Sequence, residues 1–280
     1  MKLSIITVNF NDKEGLLKTI KSVVMQHFDD YEYIIIDGGS QDGSVEVIKE
    51  NKSYISYWIS EPDKGIYNAM NKAIEVAQGE YCIFMNAGDV FCEPQTLSDY
   101  FALNCTEDII CGNTITSAKI IKAPNEITFK YLFSHAICHQ SAFVRTSLMK
   151  KYKYDETYKI VADRKFFLQA LIVENCSYKG VDVNVVNYDI NGYSSQNPVL
   201  SRLEYNKVLE ELFPHRILCD YGRNLNGDLY GTSMYDKLFV ELRSRQYSKV
   251  VYVMTVITMN LLSIFNKSAN FIKHFPLKYW

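Results

Sequence analysis

The sequence predicts an α/β protein in which a mostly parallel sheet is flanked by helices. In the first third of the chain, four short apolar runs alternate with three segments of helical spacing. Polar turn residues follow three of these runs directly. Strands that alternate with helices are typical of right-handed βαβ units, which build a doubly wound sheet with helices on both faces. A chain of 280 residues is long enough for one such core and an appendage.

The strands of this region are predicted from runs of β-branched and aromatic residues, and the helices from apolar residues at helical spacing. Gly79 is a stop signal for the third helix. The predicted strands are Leu3–Val8, Tyr33–Ile36, Tyr57–Ser60 and Tyr81–Met85, and the predicted helices are Glu14–His27, Val45–Asn51 and Ile66–Gln78.

The middle of the chain is less regular, and the strands predicted at Ile109–Asn113 and Ile115–Ile121 are expected to be edge pieces of the same sheet. A helix entered through Val161 and Asp163 is the clearest element there, because its apolar residues recur at helical spacing as far as Val173. The other predicted elements are strands at Ile109–Asn113, Ile115–Ile121, Ser141–Val144 and Gly180–Tyr188, a helix at Leu148–Tyr152 and a flexible loop at Asn191–Ser195.

The change in composition predicts two regions, a main domain at 1–200 and a helical extension at 201–280. The extension holds a charged helix, Tyr235–Lys249, and a largely apolar segment, Val250–Phe265. The apolar segment is shorter than the roughly 20 residues of a spanning helix. Aromatic residues and cations follow it, which favours an interfacial helix on an anionic membrane surface. Packing on the main domain or on a second identical subunit is the alternative.

Composition narrows the classes of partner and the compartment. The net charge of −2 gives no electrostatic reason to expect nucleic acid. The seven cysteines include no CxxC pair or zinc spacing, which favours a reducing cytoplasm without a disulfide framework. A strand pattern follows Met1 and Lys2 directly, so we expect no signal peptide.

Three polar loops are expected to meet at one edge of the sheet, at Asn9–Asp12, Asp37–Ser44 and Asn86–Asp89. The carboxyl ends of parallel strands are where open α/β sheets bind ligands. A carboxylate at Asp89 could hold a hard divalent cation, and the cation could hold a diphosphate. The alternative is an ordinary turn. Neither GxGxxG nor GxxxxGK[ST] is present, which disfavours a dehydrogenase and a P-loop enzyme.

Taken together, the motifs resemble those of the family 2 glycosyltransferases with the GT-A fold. The resemblance covers about residues 1–195 in the order of the family, so it is more specific than any single motif. The segments that carry it are Ser4–Asn11, Ile34–Ser44, Ser60–Asn71, Gly79–Tyr81, Phe84–Asp89 and Ala162–Phe167.

The resemblance implies that the carboxyl edge binds a nucleotide sugar. Asp37 matches the first acid of a pair that faces the base, whereas Gly38 stands where the second acid is usual. Asp63 to Gly65 match a loop near the diphosphate and sugar, and Lys64 could pair with phosphate. The alternatives are a turn cap for Asp37 and a solvated turn for Lys64. The donor-binding residues implied are Thr7, Asn9, Asn11, Asp37, Asp63, Lys64, Gly65, Asn86, Ala87 and Gly88.

The resemblance also implies a metal ligand at Asp89, the last acid of a DxD-type motif that here reads Asn86-Ala-Gly-Asp89. One carboxylate, the diphosphate and water could hold Mg²⁺ or Mn²⁺. His135 and His139, at i and i+4, are candidates for completing the site, with a structural role as the alternative for each.

Asp163 matches the catalytic base of the family, which takes the proton of the acceptor hydroxyl. Favourable placement of an acid at a helix N-terminus is the alternative.

The implied function is inverting transfer of a hexosyl or N-acetylhexosaminyl group from a nucleoside diphosphate sugar to a glycan or lipid-linked acceptor. The expected setting is surface polysaccharide synthesis, on the inner face of the cytoplasmic membrane. Two alternatives remain open. One is a sugar-phosphate nucleotidyltransferase, although the Gly-rich, basic triphosphate loop that it needs is absent. The other is a non-catalytic scaffold that binds sugar nucleotides.

Overall fold

The computed structural model describes residues 1–188 and 197–221. The chain divides into two compact units, Met1–Phe213 and Pro214–Trp280. The loop predicted at Asn191–Ser195 and the helices predicted at Tyr235–Lys249 and Val250–Phe265 lie outside the described residues.

The strands form one mixed sheet. They are β1 (Leu3–Asn9), β2 (Tyr31–Asp37), β3 (Tyr57–Ser60), β4 (Tyr81–Phe84), β5 (Val90–Phe91), β6 (Ile109–Ile115), β7 (Ile120–Ile121), β8 (Ala142–Arg145) and β9 (Tyr178–Asn187). Within the described residues their order is β3-β2-β1-β4-β8-β6-β9-β5, and β7 pairs with β6. The four predicted strands of the first third are confirmed, and they run parallel.

The five helices predicted within the described residues begin and end close to their predicted bounds. No helix within the described residues has the length and apolar character needed to cross a membrane. The helices are α1 (Lys13–Val24), α2 (Ser44–Glu50), α3 (Ile66–Val76), α4 (Thr96–Ala102), α5 (Phe129–Ser134), α6 (Thr146–Tyr152), α7 (Ala162–Leu168), α8 (Pro198–Leu212) and α9 (His215–Asp220), with a π-helical turn at Gln169–Val173 and 3₁₀ turns at Lys52–Tyr54 and His139–Ser141.

β1 lies between β2 and β4, and all seven of its residues are buried. Alternate residues of the strands face opposite sides of the sheet. On one side, Ile5 and Ile35 pack in a core that also contains Leu16 and Ile20 of α1. α3 packs against β1 and β2 with Met70 and Ile74 fully buried. Helices therefore cover the parallel strands, as the sequence predicts.

The second half of the sheet combines antiparallel and parallel pairing. β8 joins β4 and β6 in antiparallel register, and β6 then pairs with β9 in parallel. The strand predicted at Ile115–Ile121 is wrong in its bounds. A turn separates Ile115 from Ile120, because the Thr116 amide donates to Lys119 O and the Thr116 hydroxyl accepts from the Lys119 amide.

α8 belongs to the first unit, although the sequence suggests a boundary near residue 200. Both carboxylate oxygens of Glu204 accept backbone hydrogen bonds, from the amides of Lys159 and Ile160 at 2.9 Å. The buried Tyr205 donates to Leu132 O, and its ring lies 3.3 Å from the Arg164 guanidinium. α8 thus holds the segment that leads into α7.

Replacing Glu204 with alanine is expected to loosen this segment. Two backbone amides lose their acceptor, which should lower the free energy of unfolding by about 1–2 kcal/mol in denaturant titration. Glu210→Ala is the matched control, because Glu210 is exposed on the same helix. Equal stability of the two variants would contradict this role for Glu204.

Candidate active site

The predicted polar loops meet at the carboxyl edge of β1, β2 and β4. The Gly38 amide donates to Asn9 O at 2.8 Å, and the Ala87 amide donates to Val8 O at 3.1 Å. β2 ends opposite Asn9 of β1 and β4 ends opposite Ile6, but the amides of Met85 and Ala87 continue the pairing to Ile6 O and Val8 O. The edge is therefore a single surface built from three loops.

Asp37 is fully buried and organises its own loop. Burial alone would raise the pKa of its carboxyl, but hydrogen bonds from Ser40, Ser60 and Asn9 hold that pKa below its ordinary value. Its carboxylate accepts from Asn9 Nδ2, Ser40 Oγ, Ser60 Oγ and the amides of Gly39 and Ser40. In this arrangement Asp37 holds the loop in place and has no exposed surface to offer a base.

Thr7, Asn9 and Asn11 do not share one environment. Thr7 is fully buried and bonds to Met85 O and Tyr33 Oη, so its side chain supports the edge from within. Asn11 lies on the surface, where its Oδ1 accepts from the Gln41 amide. Asn9 is buried, and its Oδ1 has no hydrogen-bond partner within the described residues.

The loop between β3 and α3 lies beside that of Asp37. The Glu61 amide donates to Asp37 O at 3.0 Å. Asp63 Oδ1 accepts from the Gly65 amide at 2.8 Å, and the Lys64 side chain is exposed. Gly65 adopts φ +120°, a conformation that glycine reaches without strain.

The turn that contains Asp89 is fixed by α1. The Thr19 hydroxyl accepts from the Gly88 amide at 3.0 Å and donates to Asp89 O at 2.7 Å. The Asn86 amide donates to Asp89 Oδ2 at 3.1 Å. Gly88 takes φ +97°, and Asp89 is 7% exposed. The sequence did not indicate Thr19, because it lies in a helix far from any motif.

A chain of polar contacts connects this turn to Asp163. His139 Nε2 lies 3.3 Å from Asn86 Nδ2, and His139 Nδ1 lies 3.2 Å from Asp163 Oδ2. Tyr67 Oη lies 2.6 Å from Ile160 O and 3.1 Å from Asp163 Oδ1. The side chains of His139 and Asp163 are 15% and 16% exposed. Tyr67 lies inside a recognised motif, but nothing in the motif assigned it a role.

Asp163 is held as a carboxylate by this environment. Burial would raise the pKa of its carboxyl, but the hydrogen bond and charge of His139 and the backbone amide of Arg164 hold that pKa below its ordinary value. A carboxylate accepts hydrogen bonds only, so Nδ1 of His139 carries the proton. The other ring nitrogen, Nε2, lies beside Asn86 Nδ2. This leaves Asn86 Oδ1 buried and without a hydrogen-bond partner in the described part of the chain.

The structure separates the two histidines. α5 ends at Ser134, and His135 is extended with φ −127° and ψ 155°, so the two rings do not share a helical face. His135 is exposed and stacks on Tyr131. Of the two histidines, His139 is the one that contacts Asn86, and a role of His135 in the metal site stays a prediction.

The residues around Asp89 fit a cation that arrives with a diphosphate. Among the described residues, no group of three or more His, Cys, Asp or Glu side chains could hold a metal ion without further ligands. Mg²⁺ is usually bound by one or two carboxylates together with substrate phosphates and water. The carboxylate of Asp89 and the unpartnered Oδ1 of Asn86 offer hard oxygen ligands of this kind.

The profile of the family described as Glycosyl transferase family 2 matches residues 4–159. The chain belongs to glycosyl transferase family 2. An uncharacterised glycosyltransferase of Mycobacterium tuberculosis is 28% identical over 86% of this chain and 97% of its own length. A PGL/p-HBAD biosynthesis glycosyltransferase of Mycobacterium bovis is 27% identical over 58% of this chain and 67% of its own.

Solved structures show the same fold as this glycosyltransferase. Staphylococcus aureus TarS 1-349 in complex with UDP-GlcNAc has a TM-score of 0.63 at 18% identity, over 82% of this chain and 68% of that one. The chain spans 42% of full-length TarS. A mannosyltransferase of Pyrobaculum calidifontis in complex with GDP-Man and Mn²⁺ has a TM-score of 0.59 at 12% identity, over 75% and 63% of the two chains.

Family membership selects between the hypotheses drawn from the sequence. The chain is a glycosyltransferase, and the GT-A type α/β fold is confirmed. The nucleotidyltransferase and the non-catalytic scaffold lose support. In this glycosyltransferase the polar chain from Asn86 to Asp163 is the candidate catalytic centre.

Replacing His139 with alanine is expected to destabilise the glycosyltransferase in a pH-dependent way. Without the imidazole, burial raises the pKa of Asp163, so the loss should be about 1–3 kcal/mol near neutral pH. A carboxyl with a lowered pKa contributes stability above its ordinary value of 3.8 and loses that contribution as the pH falls through its lower folded value. The difference between variant and wild type should therefore shrink in acid, as measured by urea unfolding at several pH values. The exposed His135→Ala is the control, and a difference independent of pH would contradict the pairing.

Proposed function

We propose that the enzyme transfers a sugar, with inversion, from a nucleoside diphosphate sugar to a hydroxyl group of the acceptor. The observation that carries the proposal is the pair of Asp163 and His139 next to Asn86, at the end of a central strand of a family 2 glycosyltransferase. The likeness to TarS in complex with UDP-GlcNAc supports a nucleotide-sugar donor.

The reaction is a single displacement at the anomeric carbon. The acceptor oxygen forms a bond to this carbon on one face, while the bond to the diphosphate oxygen breaks on the opposite face. The nucleoside diphosphate leaves with the electron pair, and the acceptor proton passes to a base. One displacement inverts the anomeric configuration.

Asp163 is the base in this scheme. The side chain of Asp163 is 16% exposed, whereas Asp37 is fully buried. His139 orients the carboxylate through Nδ1–H and leaves the second lone pair of Oδ2 for the incoming hydroxyl. Proton transfer to a positioned carboxylate contributes about 10²–10⁴-fold to such reactions.

We propose that Asp89, with Asn86 Oδ1, holds Mg²⁺ or Mn²⁺ against the donor diphosphate. A divalent cation bound there would neutralise the negative charge that develops on the leaving diphosphate. The Mn²⁺ complex of the Pyrobaculum mannosyltransferase supports this assignment. The Gly88 turn lets the backbone approach the donor closely.

The acceptor is proposed to be a glycan or lipid-linked intermediate of the cell surface. The M. bovis relative named for PGL/p-HBAD biosynthesis supports a biosynthetic role for the transfer. We further propose that residues 1–200 contain the transferase domain, and that residues 201–280 bring it to the inner face of the cytoplasmic membrane.

Asp163→Asn is expected to abolish transfer while donor binding survives. The amide keeps the shape of the side chain but accepts no proton, so the rate of transfer should fall about 10²–10⁴-fold. Release of nucleoside diphosphate in the presence of acceptor measures transfer, and calorimetry measures donor binding. Normal turnover by this variant would refute the assignment of the base.

Asp89→Ala is the contrasting variant. It should weaken donor binding in the presence of Mn²⁺ and abolish the response of donor hydrolysis to the metal. An unaffected metal titration would argue against Asp89 as a ligand. The two variants together separate the base from the metal site.

Truncation after residue 235 is expected to abolish membrane binding without unfolding the rest. The full chain should float with anionic vesicles and not with neutral ones, since each Lys or Arg near an anionic surface contributes about 1 kcal/mol. The truncated chain should not float, and its thermal unfolding should match that of the full chain. If truncation unfolds the protein, the tail packs on protein instead.

A further inference from the structure

The space beside Gly38 contains the carboxylate of another residue, Asp63. A Cβ atom built on Gly38 would lie 2.6 Å from Asp63 Oδ2 and 3.0 Å from Phe10 Cδ2. Gly38 is not among the glycines with positive φ, so its backbone would accept a side chain. The two neighbouring side chains leave no room for one.

The position of Asp63 follows from the pairing of β2 with β3. Asp37 and Ser60 are partners in this parallel pair, so the loops that follow β2 and β3 begin side by side. Asp63 Oδ1 accepts from the Gly65 amide, which fixes the orientation of the carboxylate. Oδ2 then lies over Gly38.

Phe10 supplies a flat surface next to this carboxylate. Its ring is 66% exposed although the strand before it is buried. Planar heterocycles stack on such rings, and this stacking stabilises binding for every base. A carboxylate at the edge of the ring adds one polar contact that depends on the base.

The diphosphate of a bound nucleotide would lie at the carboxyl end of β4, away from Asp63. A carboxylate without a bound cation repels a diphosphate, so the phosphates belong near the turn at Asn86–Asp89, where the proposed cation would offset the charge of Asp89. β1 separates β4 from β2, which puts roughly 10 Å between the two regions at the usual spacing of strands. A nucleoside reaches across such a distance from its phosphate to the edge of its base.

We propose that Asp63 selects the base of the donor, in the position that a side chain at residue 38 would otherwise occupy, and that this base is uracil or guanine. A carboxylate accepts hydrogen bonds and donates none. Uracil and guanine present a ring N–H, whereas cytosine N3 and adenine N1 present lone pairs that the carboxylate repels. This inference rests on the proposed function, because it requires a nucleotide donor.

Calorimetric titration of the full chain with UDP, GDP, CDP and ADP in Mn²⁺ tests the inference. Wild type should bind UDP or GDP at least about tenfold more tightly than CDP or ADP. Asp63→Ala should lose about tenfold for the preferred nucleotide. Asp63→Asn should narrow the gap to CDP, because its amide N–H can donate to cytosine N3. Glu61→Gln is the control on the same loop, since Glu61 pairs with Lys72.

The double variant Gly38→Asp with Asp63→Ala places a carboxylate in the space that Asp63 occupied. This carboxylate comes from the loop after β2 and not from the loop after β3. It should regain the preference for UDP or GDP that Asp63→Ala loses. A wild type that binds none of the four nucleotides would refute the proposed function itself. Binding by wild type with the same preference in Asp63→Ala, or a double variant that regains nothing, would overturn the role of Asp63 alone.

Discussion

The parallel pairing of β1 with both β2 and β4 is the constraint on which the rest of the structure depends. Asn9 is the partner of Asp37, and Ile6 is the partner of Phe84. Hydrogen bonds from the Met85 and Ala87 amides extend the second pairing to Val8, so the loops that follow the three strands begin close together. A shift of one residue would turn every side chain of a buried strand to the other face. The register therefore sets the core and, in the same step, brings the loops of the active site together.

Two buried carboxylates at this edge show how burial separates structural from chemical roles. A buried charge is costly unless hydrogen bonds compensate it. Asp37 is compensated by neutral donors on every side and has no exposed surface. Asp163 is compensated chiefly by His139 and keeps part of its side chain exposed. A fully buried carboxylate can hold a loop in place, whereas a carboxylate that acts as a base has to be reached by a substrate.

The second half of the chain brings Asp163 to the edge by antiparallel pairing of β8 with β4. β8 pairs with β4, and the 3₁₀ turn just before β8 carries His139 back towards Asn86. α8 contributes from further along the chain, because Glu204 binds the backbone that leads into α7. Segments that are distant in sequence thus meet around one carboxylate.

The sequence by itself determined the α/β class, the parallel first third and the family, because strand and helix periodicities and ordered motifs are local properties. It also indicated Asp89 and Asp163 as candidates. The tertiary structure decided which of two histidines faces Asn86, that Thr7 is internal, and that Tyr67, Thr19 and Glu204 support the site. It likewise showed Asp63 beside Gly38. These contacts join residues tens of positions apart, and only the packing of strands and loops sets such distances.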